Sequence, residues 1–201
     1  GPFRARDDDA RRALVQSLGL APDTRVIGFV GRLNWAKDLE TMVAAFARVR
    51  ARHDDVALVL AGEGGERGVV EAAIAREGVG DRVFLLGDRG DIPNLLPAFT
   101  LFAMSSISEG YSIALLEACA SALPIVATDV GGNAEIVSHG NNGLVVPPRD
   151  PAALADAFEA LLSDAARAEA MGRTGRDWLL SNATFEVMLA RYLDVYANGR
   201  A

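Results

Sequence analysis

The sequence predicts an α/β chain: a doubly wound, mostly parallel, six-stranded sheet with helices on both faces, in the manner of a Rossmann-like domain. Three observations predict it. Short runs such as VIGFV in Arg25 to Val30 and VALVLA (Val56 to Ala61) are continuously apolar rather than alternating, as strands covered on both sides are. Each is followed by a loop and then by a helical pattern of apolar residues. No two successive strand runs are joined by a hairpin turn, so right-handed crossovers connect them.

The elements follow in order. Asp7-Asp8-Asp9 precede a short helix, Ala10 to Leu18, where acids complement the dipole, and Gly19 ends it. After the first strand comes GRLNWAK, Gly31 to Lys37, and then a helix whose Leu39, Met42, Val43, Phe46 and Val49 share one face. After the second strand come Gly62-Glu63-Gly64-Gly65 and a helical pattern from Glu66 to Glu77. This Gly-x-Gly lacks the third glycine of a dinucleotide fingerprint. The third strand, Val83 to Leu86, closes at Gly87; Asp91 to Ala98 is a short helix interrupted by Pro93 and Pro97; Leu101 to Met104 is the fourth strand. Ile113 to Ala120 is the next helix, and Ile125 to Ala127 the fifth strand. Thr128 to Glu135 is then a loop and helix start, in which Gly131-Gly132 lets backbone approach a ligand and Asn133 caps the helix. Gly143 to Val146 is the sixth strand, and Asp150 caps a helix with Pro151 at its first position. A further helix runs from Asp164 to about Leu180, and the last from Phe185 to Tyr196, its aromatic face expected to pack in a core.

Length and composition bound the function. At 201 residues, half of them hydrophobic, the chain fits one large domain. Gly1-Pro2 reads as a tag remnant, leaving 3–201 as the domain. No apolar run reaches the roughly 18 residues of a membrane span, and the polar start shows no secretory signal. A net charge of −7 argues against a nucleic-acid partner. The one cysteine, Cys119, lies in an apolar helix and reads as a packed thiol in a reducing, cytoplasmic setting. His53 sits in the polar stretch RARHDD and is expected to be solvated; His139 lies in a loop without a nucleophile nearby. No metal pattern is present, and no hydrolase or P-loop motif.

Chemistry concentrates in SEGYSIALLEA, Ser108 to Ala118. Glu109 stands at a strand's carboxyl end, and Glu117 roughly one and a half turns into the following helix. Gly110 and Ser112 between them suit a turn and an N-cap. A helix N-terminus between two acids fits a ligand carrying both phosphate and hydroxyls, as a nucleotide sugar does. Glu117 has almost wholly apolar neighbours, so its carboxylate needs a cation, water or a hydroxyl-rich ligand; a structural ion pair is the alternative. Arg32 and Lys37 flank a helix start at a strand's carboxyl end, where open α/β sheets bind ligands, and make a diphosphate clamp or a pair of solvated charges.

These residues lie in longer matching blocks: GRLNWAKD with AAF (Gly31 to Phe46), LVLAGEG (Leu58 to Gly64), VFLLGD (Val83 to Asp88), Ser108 to Val137, and NGLVVPPRDPAALA (Asn142 to Ala155). Over about Val26 to Tyr196 the chain resembles the C-terminal domain of GT-B glycosyltransferases, specifically the retaining family 4 group. The resemblance implies that Arg32 and Lys37 hold the donor's diphosphate, that Glu117 binds the ribose hydroxyls, and that Glu109 lies near the donor sugar. It implies that N–H groups of Tyr111, Ser112 and Ile113, after Gly110, face phosphate and sugar. Gly31, Gly62 and Gly64 would border the nucleotide pocket, with Asp88 and the segment after Gly87 near the base. It implies transfer from a nucleoside diphosphate sugar to a glycan, lipid or small-molecule acceptor, with no metal or other cofactor and with Glu109, Arg32 and Lys37 at the reacting centre. It also implies a partner N-terminal domain that binds the acceptor, toward which the helix at 183–198 packs, with any membrane association through that half. A chain with the donor half alone is expected to bind nucleotide and transfer little. A non-catalytic nucleotide-binding module and an epimerase on the same scaffold are the alternatives. Three positions depart from the family pattern: Asp38 and Ala122 stand where glycine is common, and Thr100 where aspartate is.

Overall fold

The computed structural model describes residues 2–198, so Gly1 of the expected tag remnant lies outside the described residues. Six strands form one sheet: β1 (Arg25–Val30), β2 (Val56–Ala61), β3 (Val83–Gly87), β4 (Leu101–Met104), β5 (Ile125–Thr128) and β6 (Gly143–Val146). Their order is β3-β2-β1-β4-β5-β6, and every pairing is parallel. The chain winds outward from β1 in one direction, then returns to β4 and winds outward in the other. The crossover between β1 and β4 is therefore the switch point of the sheet, where the loops leaving two adjacent strands diverge and open a crevice.

Nine helices accompany the strands among the described residues: α1 (Asp8–Ser17), α2 (Leu39–Arg50), α3 (Arg67–Glu77), α4 (Ile92–Leu95), α5 (Ile113–Ala120), α6 (Asn133–Ile136), α7 (Pro151–Ser163), α8 (Ala165–Asn182) and α9 (Phe185–Asn198). Side chains alternate across the pleat, so each strand feeds two cores. Ile27, Phe29, Leu58 and Leu60 join the core under α2, α3 and α7. Val26, Val59 and Ala61 join the one under α1, α4 and α5. This is why the strands read as unbroken apolar runs.

Local signals set the ends. The side chain of Asp150 accepts hydrogen bonds from the N–H groups of Ala152 (3.0 Å) and Ala153 (2.9 Å), with Pro151 opening α7. Asp7 caps α1 in the same way. Pro93 and Pro97 do not interrupt one helix: each sits in the first turn of its own short element, α4 and a 3-10 turn at Leu96–Ala98, where a missing N–H costs nothing. Asn133 does not cap α6. It is the first helical residue, and its Nδ2 instead donates to the carbonyl of Thr128 at 3.0 Å.

Two of the family departures share one physical cause. Asp38 (φ 44°) and Ala122 (φ 52°) both occupy the left-handed region, where glycine carries no steric cost. Asp38 is stabilised there, since its Oδ2 accepts from the Thr41 hydroxyl at 2.7 Å. Ala122 has no side-chain device of that kind. Thr100 holds the start of β1, its hydroxyl accepting from the N–H of Val26 at 2.9 Å.

The last helix departs from the core packing that its aromatic pattern predicts. Phe185, Tyr192, Leu193 and Tyr196 are 67%, 59%, 59% and 82% exposed, so the apolar row of α9 lies outside both cores. His53 departs in the other direction. Its Nε2 lies 2.6 Å from Glu159 Oε1 and its Nδ1 3.2 Å from Arg25 Nη2, which places it inside an ion-pair cluster rather than in water. Arg25 also grips Asp55 with two bonds of 2.7 Å and holds that carboxyl below its ordinary range. Cys119 is buried, as expected, and burial pushes its thiol up to about 12.

Candidate active site at the carboxyl edge of the sheet

The loops leaving β1, β2 and β3 are laced together by main chain. The N–H of Gly31 donates to Ala61 (3.0 Å), that of Leu33 to Glu63 (2.9 Å), and that of Gly62 to Gly87 (2.8 Å). Gly62 has to be glycine, because a Cβ there would lie 1.9 Å from the carbonyl oxygen of Gly31. Gly64 is crowded by Leu33 in the same way. These glycines therefore bring one loop against another, a role that the motif alone does not reveal.

The laced loops enclose a cleft of about 350 Å³, lined by Val30, Gly31 and Arg32 after β1, Ala61 to Glu63 after β2, and Asp88, Arg89 and Ile92 after β3. Four expected residues meet here: Gly31, Arg32, Gly62 and Asp88. Arg32 is exposed, and its guanidinium has no hydrogen-bond or ion-pair partner among the described residues. Sequence reasoning missed Glu63, Arg89 and Ile92, although each follows a strand's carboxyl end and could have been found by that position.

On the other side of β1, the loop after β4 meets the loop after β1. Lys37, the last residue of a 3-10 turn at Trp35–Lys37, forms an ion pair with Glu109. The two side chains are only 16% and 11% exposed. Ser106 donates to the same Glu109 oxygen at 2.7 Å, while Ser105 donates to the carbonyls of Lys37 and Asp38. The N–H of Ile107 donates to Ala36 at 2.8 Å, which fixes the two loops to each other. The basic and acidic residues of the two motifs, far apart in sequence, thus meet at the switch point.

The third group is the start of α5. Ser112 is buried, and its hydroxyl accepts from the N–H of Leu115 at 3.4 Å, an N-cap as expected. The N–H groups of Tyr111, Ser112 and Ile113 donate to no acceptor among the described residues, which leaves a row of donors at a helix N-terminus. Tyr111 and Ile113 are 50% and 70% exposed. Gly131 and Gly132 pack against this turn. The N–H of Gly132 donates to Gly110 at 2.9 Å, and a Cβ on Gly131 would lie 1.8 Å from the carbonyl oxygen of Glu109.

Glu117 lies on α5, partly buried, and its carboxylate has no ion pair or hydrogen bond among the described residues, which removes the structural ion pair as its explanation. Burial pushes its carboxyl above the ordinary range. It lines neither the cleft beside Arg32 nor the Lys37–Glu109 contact. Gly64 also stays outside the cleft lining.

Comparison with known proteins identifies the family and the fold. Residues 10–178 match the family described as glycosyl transferases group 1. An uncharacterised glycosyltransferase of Methanocaldococcus jannaschii is 35% identical over 151 residues, covering 74% of this chain and 38% of that protein. A GDP-mannose-dependent α-(1-6)-phosphatidylinositol monomannoside mannosyltransferase of Mycobacterium tuberculosis is 33% identical over 202 residues, covering 95% of this chain and 52% of that protein. The chain thus spans about half the length, or less, of these relatives. Among solved structures, Anabaena HepE in complex with UDP and glucose superposes with a TM-score of 0.88 at 25% identity, over 98% of this chain and 54% of that one. The C-terminal domain of a group 1 family protein, LpcC of Francisella tularensis, shares the fold at a TM-score of 0.79 and 24% identity, over 91% of this chain and 96% of that one. A six-stranded parallel sheet and a family match over most of its length together place this chain in the group 1 glycosyl transferases, with a GT-B type fold.

Proposed function

We propose that the chain is the donor-binding half of a retaining glycosyltransferase that moves a glycosyl group from a nucleoside diphosphate sugar to an acceptor hydroxyl. The observation that carries this reading is the meeting of Lys37 and Glu109 at the β1/β4 switch point, beside the unpaired Arg32 and the open N–H groups of α5. The diphosphate lies across Arg32, Lys37 and the α5 N-terminus. When the bond between the anomeric carbon and the diphosphate oxygen breaks, negative charge grows on that oxygen. Fixed cations and helix-end donors stabilise it without having to reorganise. The reading assigns that task to these groups and to no metal or other cofactor. Glu109, braced by Ser106, holds donor-sugar hydroxyls, and Glu117 receives the ribose hydroxyls, a use for a half-buried carboxylate that has no partner of its own. Gly62 and Gly64 keep the floor of the nucleotide site close-packed, and Asp88 lies at its far end.

The acceptor belongs to a separate N-terminal half, and the exposed apolar row of α9 suits packing toward it. The chain alone therefore binds nucleotide but transfers little; any association with a membrane belongs to the other half. Among the described residues no helix is long and apolar enough to cross a membrane. The Mycobacterium relative is named for GDP-mannose and the Anabaena neighbour holds UDP, so no single base carries over from them.

Calorimetric titration with UDP, GDP and ADP tests the reading. At least one should bind, and Arg32→Ala should weaken it about tenfold by removing a charge-assisted contact. Binding of none of them, or unchanged binding by Arg32→Ala and Glu117→Ala, refutes it.

A further inference from the structure

The cleft has two chemically different ends. At the β1 end stands Arg32, a cation without a partner among the described residues. At the β3 end stand Asp88, Arg89 and Ile92. The charges at that end are not equally available. Arg89 spends two donors on Asp91, Nε to Oδ1 at 2.7 Å and Nη2 to Oδ2 at 2.6 Å. Glu63 is held by Arg67. Asp88 is exposed, with no hydrogen bond or ion pair among the described residues. Asp88 is therefore the free carboxylate of the β3 end, an acceptor with two oxygens and no donor, beside the remaining N–H groups of Arg89. Val30, Ala61 and Ile92 add an apolar wall on which a flat ring can rest.

If the site holds a sugar donor as proposed above, the diphosphate lies over Arg32 and Lys37 and the sugar points toward Glu109 on the β4 side. The base then lies beyond the ribose, at the mouth of β3, and presents its edge to Asp88. The four common bases differ at that edge. Guanine offers two adjacent donors, N1–H and the 2-amino group, spaced for the two oxygens of one carboxylate. Uracil offers one N–H between two carbonyl oxygens, which the carboxylate repels. Adenine and cytosine each place a ring acceptor beside their amino group. We propose, on the strength of that donor-binding reading, that Asp88 makes this a guanine-selective site, so that the donor is a GDP-sugar.

A two-point contact of this kind discriminates by roughly tenfold or more against a wrong base. Titrating the chain with GDP, IDP, UDP and ADP at one salt concentration tests it. GDP should bind about tenfold more tightly than UDP or ADP. IDP, which keeps N1–H but lacks the 2-amino group, should fall between. Asp88→Ala should bring GDP and UDP to one level, GDP weakening and UDP tightening as the repulsion is lifted, without moving the melting temperature, since Asp88 supports no other contact among the described residues. UDP or ADP binding wild type as tightly as GDP, IDP equalling GDP, or a GDP preference that survives Asp88→Ala overturns the guanine assignment and leaves the donor site standing. Failure of every nucleoside diphosphate to bind overturns both.

Discussion

Replacing Glu109 by glutamine separates the two jobs of the Lys37–Glu109 pair. Glutamine keeps an oxygen for the Ser106 hydroxyl and for the lysine, so shape and hydrogen bonding persist and only the charge is lost. Both side chains are more than four-fifths covered, so the attraction is not screened as at an open surface. Two unit charges about 3 Å apart at an effective dielectric near 20 attract by about 5 kcal/mol gross. Desolvation of both ions cancels much of that, leaving about 2 kcal/mol for the charge. A chain of this size loses about 2–4 °C of melting temperature per kcal/mol, so Glu109→Gln should melt about 4–8 °C lower. The same change frees Lys37 from a competing anion, so a nucleoside diphosphate without sugar should bind several-fold more tightly. Lys37→Met should lower both stability and nucleotide affinity. Scanning calorimetry and isothermal titration on the two single variants and the double variant read all of this. Glu109→Gln binding the nucleotide more weakly than wild type would refute the reasoning, because Glu109 would then be supporting the diphosphate site rather than competing for its cation.

Ala122→Gly should raise the melting temperature by about 2–4 °C, since it relieves roughly 1 kcal/mol of left-handed strain. Gly131→Ala should do the reverse and also weaken nucleotide binding, because the new methyl displaces the Glu109 backbone; thermal melts and titration measure both. For Asp55, whose folded carboxyl is held low by Arg25, the stabilising contribution is present above the unfolded value near pH 4 and is lost as pH falls through the folded one. Arg25→Met should therefore flatten the acid side of the stability–pH curve. Glu117 has the opposite sign: its folded carboxyl is raised by burial, so stability falls as pH rises from the unfolded value through the folded one. Glu117→Gln should melt higher than wild type at pH 7 yet bind nucleotide about tenfold more weakly, a trade between stability and function that a purely structural glutamate would not give.

Much of the fold is legible in the sequence because the signals are local. Asp150-Pro151 announces a helix start by its cap alone, and VALVLA announces a strand covered on both faces. The strand order is not legible. Right-handed crossovers fix the hand of each connection but not the direction taken after β3, where the chain turns back to pair β4 with β1. That turn is what unites Lys37 with Glu109. His53 misleads for the same reason: its neighbours in sequence are polar, but its partners Arg25 and Glu159 arrive from other elements. Gly131 announces a turn, yet only the fold shows what the turn leans on. The α9 row has a core-like pattern, and pattern alone cannot distinguish an interior from an exposed face.

The lacing of the first three loops has a consequence for how such a site can change its substrate. Because Gly31 is bonded to Ala61 and Gly62 to Gly87, backbone to backbone, altering one loop strains the next, and the floor resists piecemeal revision. Asp88, Arg89 and Gly90 hang just beyond the last of these ties and are exposed. New donor preferences can be tried there one residue at a time while the scaffold beneath stays put, which makes that short tether the natural place to begin re-engineering.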